Sequence, residues 1–133
     1  MSGPIEYLDL DDLIVLARTL LVDRPPIRDI GLLGSAAARP QATAFGQDAY
    51  PDLITKAASL LQSIVNNHAL VDGNKRLGWL ATAVFLELNG VKASRASNDE
   101  VYELVIWIAA SNPDLDDVIP RLRRLVQPGR RHT

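Results

Sequence analysis

The chain contains no cysteine, which excludes a disulfide framework, a thiolate zinc site and a cysteine nucleophile, and fits a reducing cytosol. Histidine is almost as scarce. His68 and His132 alone cannot supply a His-Glu-x-x-His zinc site. No signal peptide is legible at the start, because Met1-Ser2-Gly3-Pro4 carries no basic residue and Asp9, Asp11 and Asp12 interrupt the first hydrophobic segment. The longest apolar stretch, around Leu77 to Leu88, is too short for a membrane span and carries Glu87 near its end. A soluble, cytoplasmic protein with no membrane partner is expected. Neither charge dominates: 14 Lys+Arg face 16 Asp+Glu, so there is no electrostatic footprint for nucleic acid and no direct nucleic-acid contact is expected. The arginines near the end, Arg121, Arg123, Arg124, Arg130 and Arg131, read as a solvated face or frayed tail. A Gly-x-x-x-x-Gly-Lys-Ser/Thr loop, a Gly-x-Gly-x-x-Gly turn and the spaced oxygen ligands of an EF-hand are all missing. With no run of strand alternation and no internal repeat, the fold class is all-α.

What is present is a set of amphipathic helices in a chain of 133 residues, a length that folds most simply as one domain burying roughly 70 per cent of its unfolded surface. Asp9-Leu10-Asp11-Asp12 offers a cap and first-turn acids, after which Leu13, Ile14, Leu16, Ala17, Leu20 and Leu21 recur at helical spacing. This helix is expected to end near Asp23, stopped by Arg24-Pro25-Pro26. From Ile27 to Tyr50 the pattern is broken by glycine and proline, with at most a short turn over Gly34 to Arg39 capped by Ser35. An irregular stretch of that length inside a compact domain is often functional. Arg39, Gln41, Thr43 and Gln47 offer ligand contacts and Phe45 an anchor, so the segment reads as a substrate or nucleotide flap or, equally, as a surface excursion.

Tyr50-Pro51 is expected to open a second long helix, with Leu53, Ile54, Ala57, Ala58, Leu61, Ile64 and Val65 on its inner face. A third runs from within Asn74 to Arg76 to about Leu88 and is apolar on nearly all sides, the mark of a central helix. Ser97-Asn98-Asp99-Glu100 reads as a capping box for a helix stopped by Asn112-Pro113. Asp114 to Val126 makes the last helix, with Pro120 tolerated in its first turn or at a kink. Residues 128–133 look like a loose tail.

Between the two longest helices lies His68-Ala69-Leu70-Val71-Asp72-Gly73-Asn74-Lys75-Arg76. A helix N-terminus presents unpaired N–H groups and a partial positive charge, and is a ready anion site. Gly73 permits close approach to the backbone, Asn74 can donate, and Lys75 and Arg76 add two cations. These point to phosphate. A polyphosphate normally arrives with Mg²⁺, for which Asp72 is the hard oxygen ligand. His68, at the exit of the preceding helix, carries an imidazole, the side chain best suited to take a proton from a hydroxyl near neutral pH. Taken singly, a histidine here is a cap, Asp72-Gly73 a turn and Lys75-Arg76 surface; their coincidence favours phosphate chemistry.

At these residues the chain resembles the Fic/Doc family, whose signature is H-x-F-x-[D/E]-G-N-[G/K]-R between two helices. His68, Asp72, Gly73, Asn74, Lys75 and Arg76 match it in identity and spacing. Gly34-Ser35-Ala36, Ala38-Arg39-Pro40, Tyr50-Pro51, Lys56-Ala57-Ala58, Asn67-His68 and Phe85 to Gly90 resemble the Doc branch, the "death on curing" toxins. The resemblance implies one helical bundle of about six helices over 1–127, His68 as general base on a protein hydroxyl, Asp72 as Mg²⁺ ligand, and Gly73, Asn74 and Arg76 holding nucleotide phosphates. Where most Fic enzymes carry a second glycine and transfer AMP, the Doc branch carries lysine, here Lys75, and transfers the γ-phosphate of ATP. It further implies elongation factor Tu as target, translation arrest as outcome, and a Phd-type antitoxin that folds on binding. Leu70 stands where the signature has phenylalanine, and Ala69 replaces a common proline. No complete inhibitory Ser/Thr-x-x-x-Glu-Gly/Asn helix is present, although Ser2 to Glu6 matches in part, so inhibition is expected in trans. Two rival readings remain: AMP transfer by the same residues, and a nucleotide-binding or DNA-associated regulatory module without catalysis.

Overall fold

The computed structural model of the chain describes residues 3–20 and 27–127. Among these residues there are six α-helices, α1 (Leu10–Leu20), α2 (Ile30–Ala38), α3 (Leu53–Asn67), α4 (Asn74–Leu88), α5 (Asn98–Ser111) and α6 (Leu115–Val126). The expected all-α class is met. The one sheet among the described residues is a hairpin, β1 (Thr43–Ala44) antiparallel to β2 (Gln47–Asp48), with Thr43 opposite Asp48 and Ala44 opposite Gln47. The expected end of α1 near Asp23, its proline stop and the tail at 128–133 lie outside the described residues.

Local chemistry sets the helix ends. Asp9 and Asp12 cap α1 reciprocally, each accepting the other's backbone N–H at 2.9 Å. Ser97 and Glu100 form the expected capping box on α5, and Asn112 closes that helix in the left-handed region. α3 starts later than expected: Asp52, whose carboxylate accepts the Thr55 N–H at 2.8 Å, is the cap, and Pro51 lies outside the helix. The stretch after Ile27 is also more ordered than its glycines imply. Asp29 caps α2 by accepting the Leu32 N–H at 3.1 Å, and Gly31 and Gly34 sit inside the helix rather than ending it. Burial of Leu33, Ala36 and Ala37 against the core offsets a glycine cost of about 1 kcal/mol each. Ser35 is within α2 and caps nothing. Pro120 lies beyond the first turn, as the sixth residue of α6.

α3 is the centre of the bundle. It packs against α2, α4, α5 and α6, and ten of its residues are buried, including Ala57, Leu60, Leu61 and Ile64. α4, the helix expected to be central, packs against α3, α1 and α5. Its inner face, Leu77, Ala81, Phe85 and Leu86, is buried, whereas Trp79, Leu80, Ala83 and Val84 are half-buried and Leu88 is exposed. Helical periodicity reports which residues are apolar, not whether a neighbour covers them.

α4 meets α3 closely at Gly78. A Cβ there would stand 2.7 Å from Val65 Cγ2 and 3.4 Å from Leu61 Cδ1. Gly78→Ala gains about 1 kcal/mol of helix propensity but overpacks a core contact, a cost of about 1–3 kcal/mol. We expect the variant to unfold at lower urea concentration than the wild type. A midpoint at or above that of the wild type would show that the α3–α4 contact relaxes freely.

Candidate functional site

α3 ends and α4 begins at the motif, so the two most closely packed helices of the bundle fix its two ends. His68 is the C-cap of α3, with φ 57° and ψ 40°. The left-handed region costs a residue with a Cβ about 1–2 kcal/mol, so the surrounding structure must hold His68 there. Its side chain is exposed. Ala69 and Leu70 then turn inward, and Leu70 is 1% exposed. The leucine that replaces the signature phenylalanine thus keeps the loop anchored in the core. Val71 and Asp72 return to the surface, and Gly73 caps α4 at φ 92°, a conformation glycine adopts without strain.

The structure brings His68, Asp72, Gly73, Asn74, Lys75 and Arg76 to one place. No side chain caps α4. The N–H groups of Asn74, Lys75 and Arg76 therefore occupy the first turn, where no helical carbonyl reaches them. Lys75 and Arg76 are exposed beside them. Two details differ from expectation. The Asn74 side chain is spent on the loop itself, accepting the Leu70 N–H at 3.0 Å and donating to the Leu70 carbonyl at 3.1 Å; what it offers an anion is its backbone N–H. Likewise the Gly73 N–H donates to Asp72 Oδ1 at 2.8 Å, so Gly73 serves the site by its shape.

That bond leaves Asp72 Oδ2 for a cation. No group of three or more His, Cys, Asp or Glu side chains that could hold a metal occurs among the described residues. This donor set fits Mg²⁺ of the kind held by one carboxylate plus phosphate oxygens and water, and does not fit an all-protein cage.

The expected flap residues separate. The Arg39 guanidinium is engaged within the chain: its Nε donates to the Tyr50 hydroxyl at 3.0 Å, and Nη1 donates to Gln62 Oε1 at 2.8 Å and Ser63 Oγ at 2.9 Å. It clasps the chain on both sides of the hairpin to α3. Gln41 is exposed before β1. Phe45 anchors nothing; it is fully exposed at the hairpin tip, with φ 55°. Thr43 and Gln47 are exposed on the strands.

Lys56 entered the sequence reading only as part of the resemblance, with no role assigned to it. Its side chain is 1% exposed, and its Nζ donates to Asp48 Oδ2 at 3.1 Å and lies 5.7 Å from the centre of the Tyr7 ring. Burial works against the charge, but the Asp48 carboxylate and Tyr7 outweigh it and hold the ammonium above the ordinary lysine value. β2 is thereby pinned to α3 below the tip. A lysine among the apolar residues of an inner helical face was the available signal.

An apolar groove of about 440 Å³ lies between α4 and α5, with Trp79, Leu80, Ala83, Val101 and Tyr102 in its lining and Lys75 and Arg76 contributing to it. The late arginines are elsewhere: Arg121 stacks on Trp107 at 3.8 Å, and Arg123 lies 3.7 Å from Asp52. No described helix is long and apolar enough to cross a membrane.

Comparison with known proteins agrees with the motif. The profile of the Fic/DOC family matches residues 7–86, which takes in the hairpin, the motif loop and most of α4. "Toxin Doc" of Mycolicibacterium smegmatis is 47% identical over 118 residues, covering 88% of this chain and 91% of that protein. The chain belongs to the Fic/Doc family.

Proposed function

We propose that the chain is a Doc-like toxin that transfers the γ-phosphate of ATP to a hydroxyl side chain of elongation factor Tu and so arrests translation in the cytoplasm. The observation that carries this reading is the placement of His68, Asp72, Gly73, Lys75 and Arg76 around the open N-terminus of α4, in a chain similar to a toxin over most of its length. His68 accepts the proton of the attacking hydroxyl. The oxygen bonds to the γ-phosphorus as the bond to the β–γ bridging oxygen breaks, and ADP leaves. The first-turn N–H groups of α4, with Lys75 and Arg76, bind the phosphates. Mg²⁺ beside Asp72 would neutralise charge on the polyphosphate. The exposed hairpin, pinned at its base by Arg39 and Lys56, presents Thr43 and Phe45 to the protein substrate, with Gln41 just before it.

Neutralisation is assigned to a Phd-type antitoxin segment that folds into the groove between α4 and α5. An amphipathic helix with an apolar face and acidic end residues suits that surface, because Lys75 and Arg76 contribute to it.

The test uses purified chain, elongation factor Tu and ATP labelled at either the γ- or the α-phosphate. Label from the γ-position alone is expected. Label from the α-position alone would establish AMP transfer instead, and ATP binding without any label would establish a non-catalytic module. Ala83→Glu should leave transfer intact while abolishing neutralisation by the antitoxin.

A further inference from the structure

The segment just before α2 is stitched to the motif loop along three consecutive residues. Ile27 and Leu70 form an antiparallel bridge. The backbone N–H groups of Arg28 and Asp29 both donate to the Ala69 carbonyl, at 2.8 and 3.0 Å. The Arg28 side chain goes one residue further back, where Nη2 donates to the carbonyl of His68 itself. Asp29, the next residue, is committed to capping α2, so α2 holds the segment in turn.

The arginine contact differs in kind from the other two. The bridge and the two amide bonds require only a backbone in the right place, and they hold Ala69 and Leu70, which are already buried. His68 is exposed, lies in the left-handed region and has left the helical ladder of α3. For its carbonyl the described partner is a guanidinium, and a charge-assisted bond is stronger than a neutral one. Asn74 braces the other side of the loop through Leu70 and does not reach His68.

We propose that Arg28 is a positioning residue for His68: by holding the His68 carbonyl it fixes the left-handed backbone from which the imidazole is aimed at the acceptor hydroxyl. The inference rests on His68 acting as the base, but the backbone constraint does not. A guanidinium lost here should let His68 relax toward commoner backbone geometries. A misplacement of about 1 Å can cost 10²-fold in rate.

The chain's two histidines make the test direct. In a His132→Ala background every imidazole signal in a proton–nitrogen spectrum belongs to His68. We expect Arg28→Met to broaden or split that signal while amide signals from α5 and α6 stay in place. In the transfer assay kcat should fall about 10–10²-fold with KM for ATP unchanged, and Arg28→Lys, which keeps a cationic donor, should recover most of the loss. An unchanged His68 signal in Arg28→Met and in the milder Arg28→Gln would overturn the proposal. So would a signal change accompanied by equal changes throughout the molecule, which would make Arg28 a general stability residue. If the wild type transfers no phosphate, the spectra still decide the role of Arg28, and that failure belongs to the functional reading alone.

Discussion

His68→Ala is expected to lower the proposed phosphate transfer by about 10²–10⁴-fold, the contribution ordinarily made by a positioned general base, and to leave the protein folded. The second half of that result follows from where the residue sits. His68 is exposed and its side chain makes no hydrogen bond among those described, so truncation removes no core packing. The backbone is the harder question, because φ 57° is unfavourable for alanine as well. His68→Asn therefore serves as the companion variant: asparagine tolerates the left-handed region and its amide cannot act as a base. Both variants should still bind ATP, since the groups placed on the phosphates begin at α4. Equilibrium binding of a fluorescent ATP analogue, measured beside transfer, separates the effects. Transfer that persists within a few-fold of wild type in both variants would remove His68 from the chemistry. Lost binding together with lost transfer would show that the site had collapsed.

How much of this was legible in the sequence depends on the range of the interaction concerned. The caps at Asp9 and Ser97, the turn at Asn112 and the start of α4 after Gly73 rest on residues within four positions of one another, and they stand where the residue types place them. The motif was legible for the same reason. α2 was not, because two glycines lower its propensity and only the distant partners of Leu33, Ala36 and Ala37 restore it. The open side of α4 has a related cause. A helical wheel shows Trp79, Leu80 and Ala83 as apolar but cannot show that the space beside them is an open groove. Arg39 was expected to meet a ligand and Lys56 was given no role of its own, because the acceptors each reaches lie on another segment. Arg28 carries no local signal at all: its partner is His68, forty residues along the chain.

Lys75→Gly is the substitution expected to separate the proposed γ-phosphate transfer from its rival, AMP transfer. Lys75 is the second residue of α4, exposed beside the first-turn N–H groups. Its ammonium is the side-chain cation closest in sequence to Gly73 on that helix, with Arg76 next to it. Loss of one charge-assisted phosphate contact is a matter of about 1.5–3 kcal/mol, so γ-transfer should fall about 10–10²-fold at subsaturating ATP. Space is the other half of the effect. A lysine side chain fills the volume next to the helix N-terminus, and a glycine opens it to the more crowded α-phosphate, which carries the ribose on one side and the diphosphate on the other. Label from α-labelled ATP should therefore appear on the target in Lys75→Gly and remain absent in Lys75→Ala, where the charge is lost but a Cβ still stands in the way. The alanine variant also controls for helix propensity, since glycine at this position costs about 1 kcal/mol relative to alanine. If both variants lose γ-transfer equally and neither takes up α-label, Lys75 contributes charge and nothing to the choice of phosphate. That choice would then rest with residues outside α4, among them the hairpin proposed to meet the substrate, which Lys56 and Arg39 tie to α3.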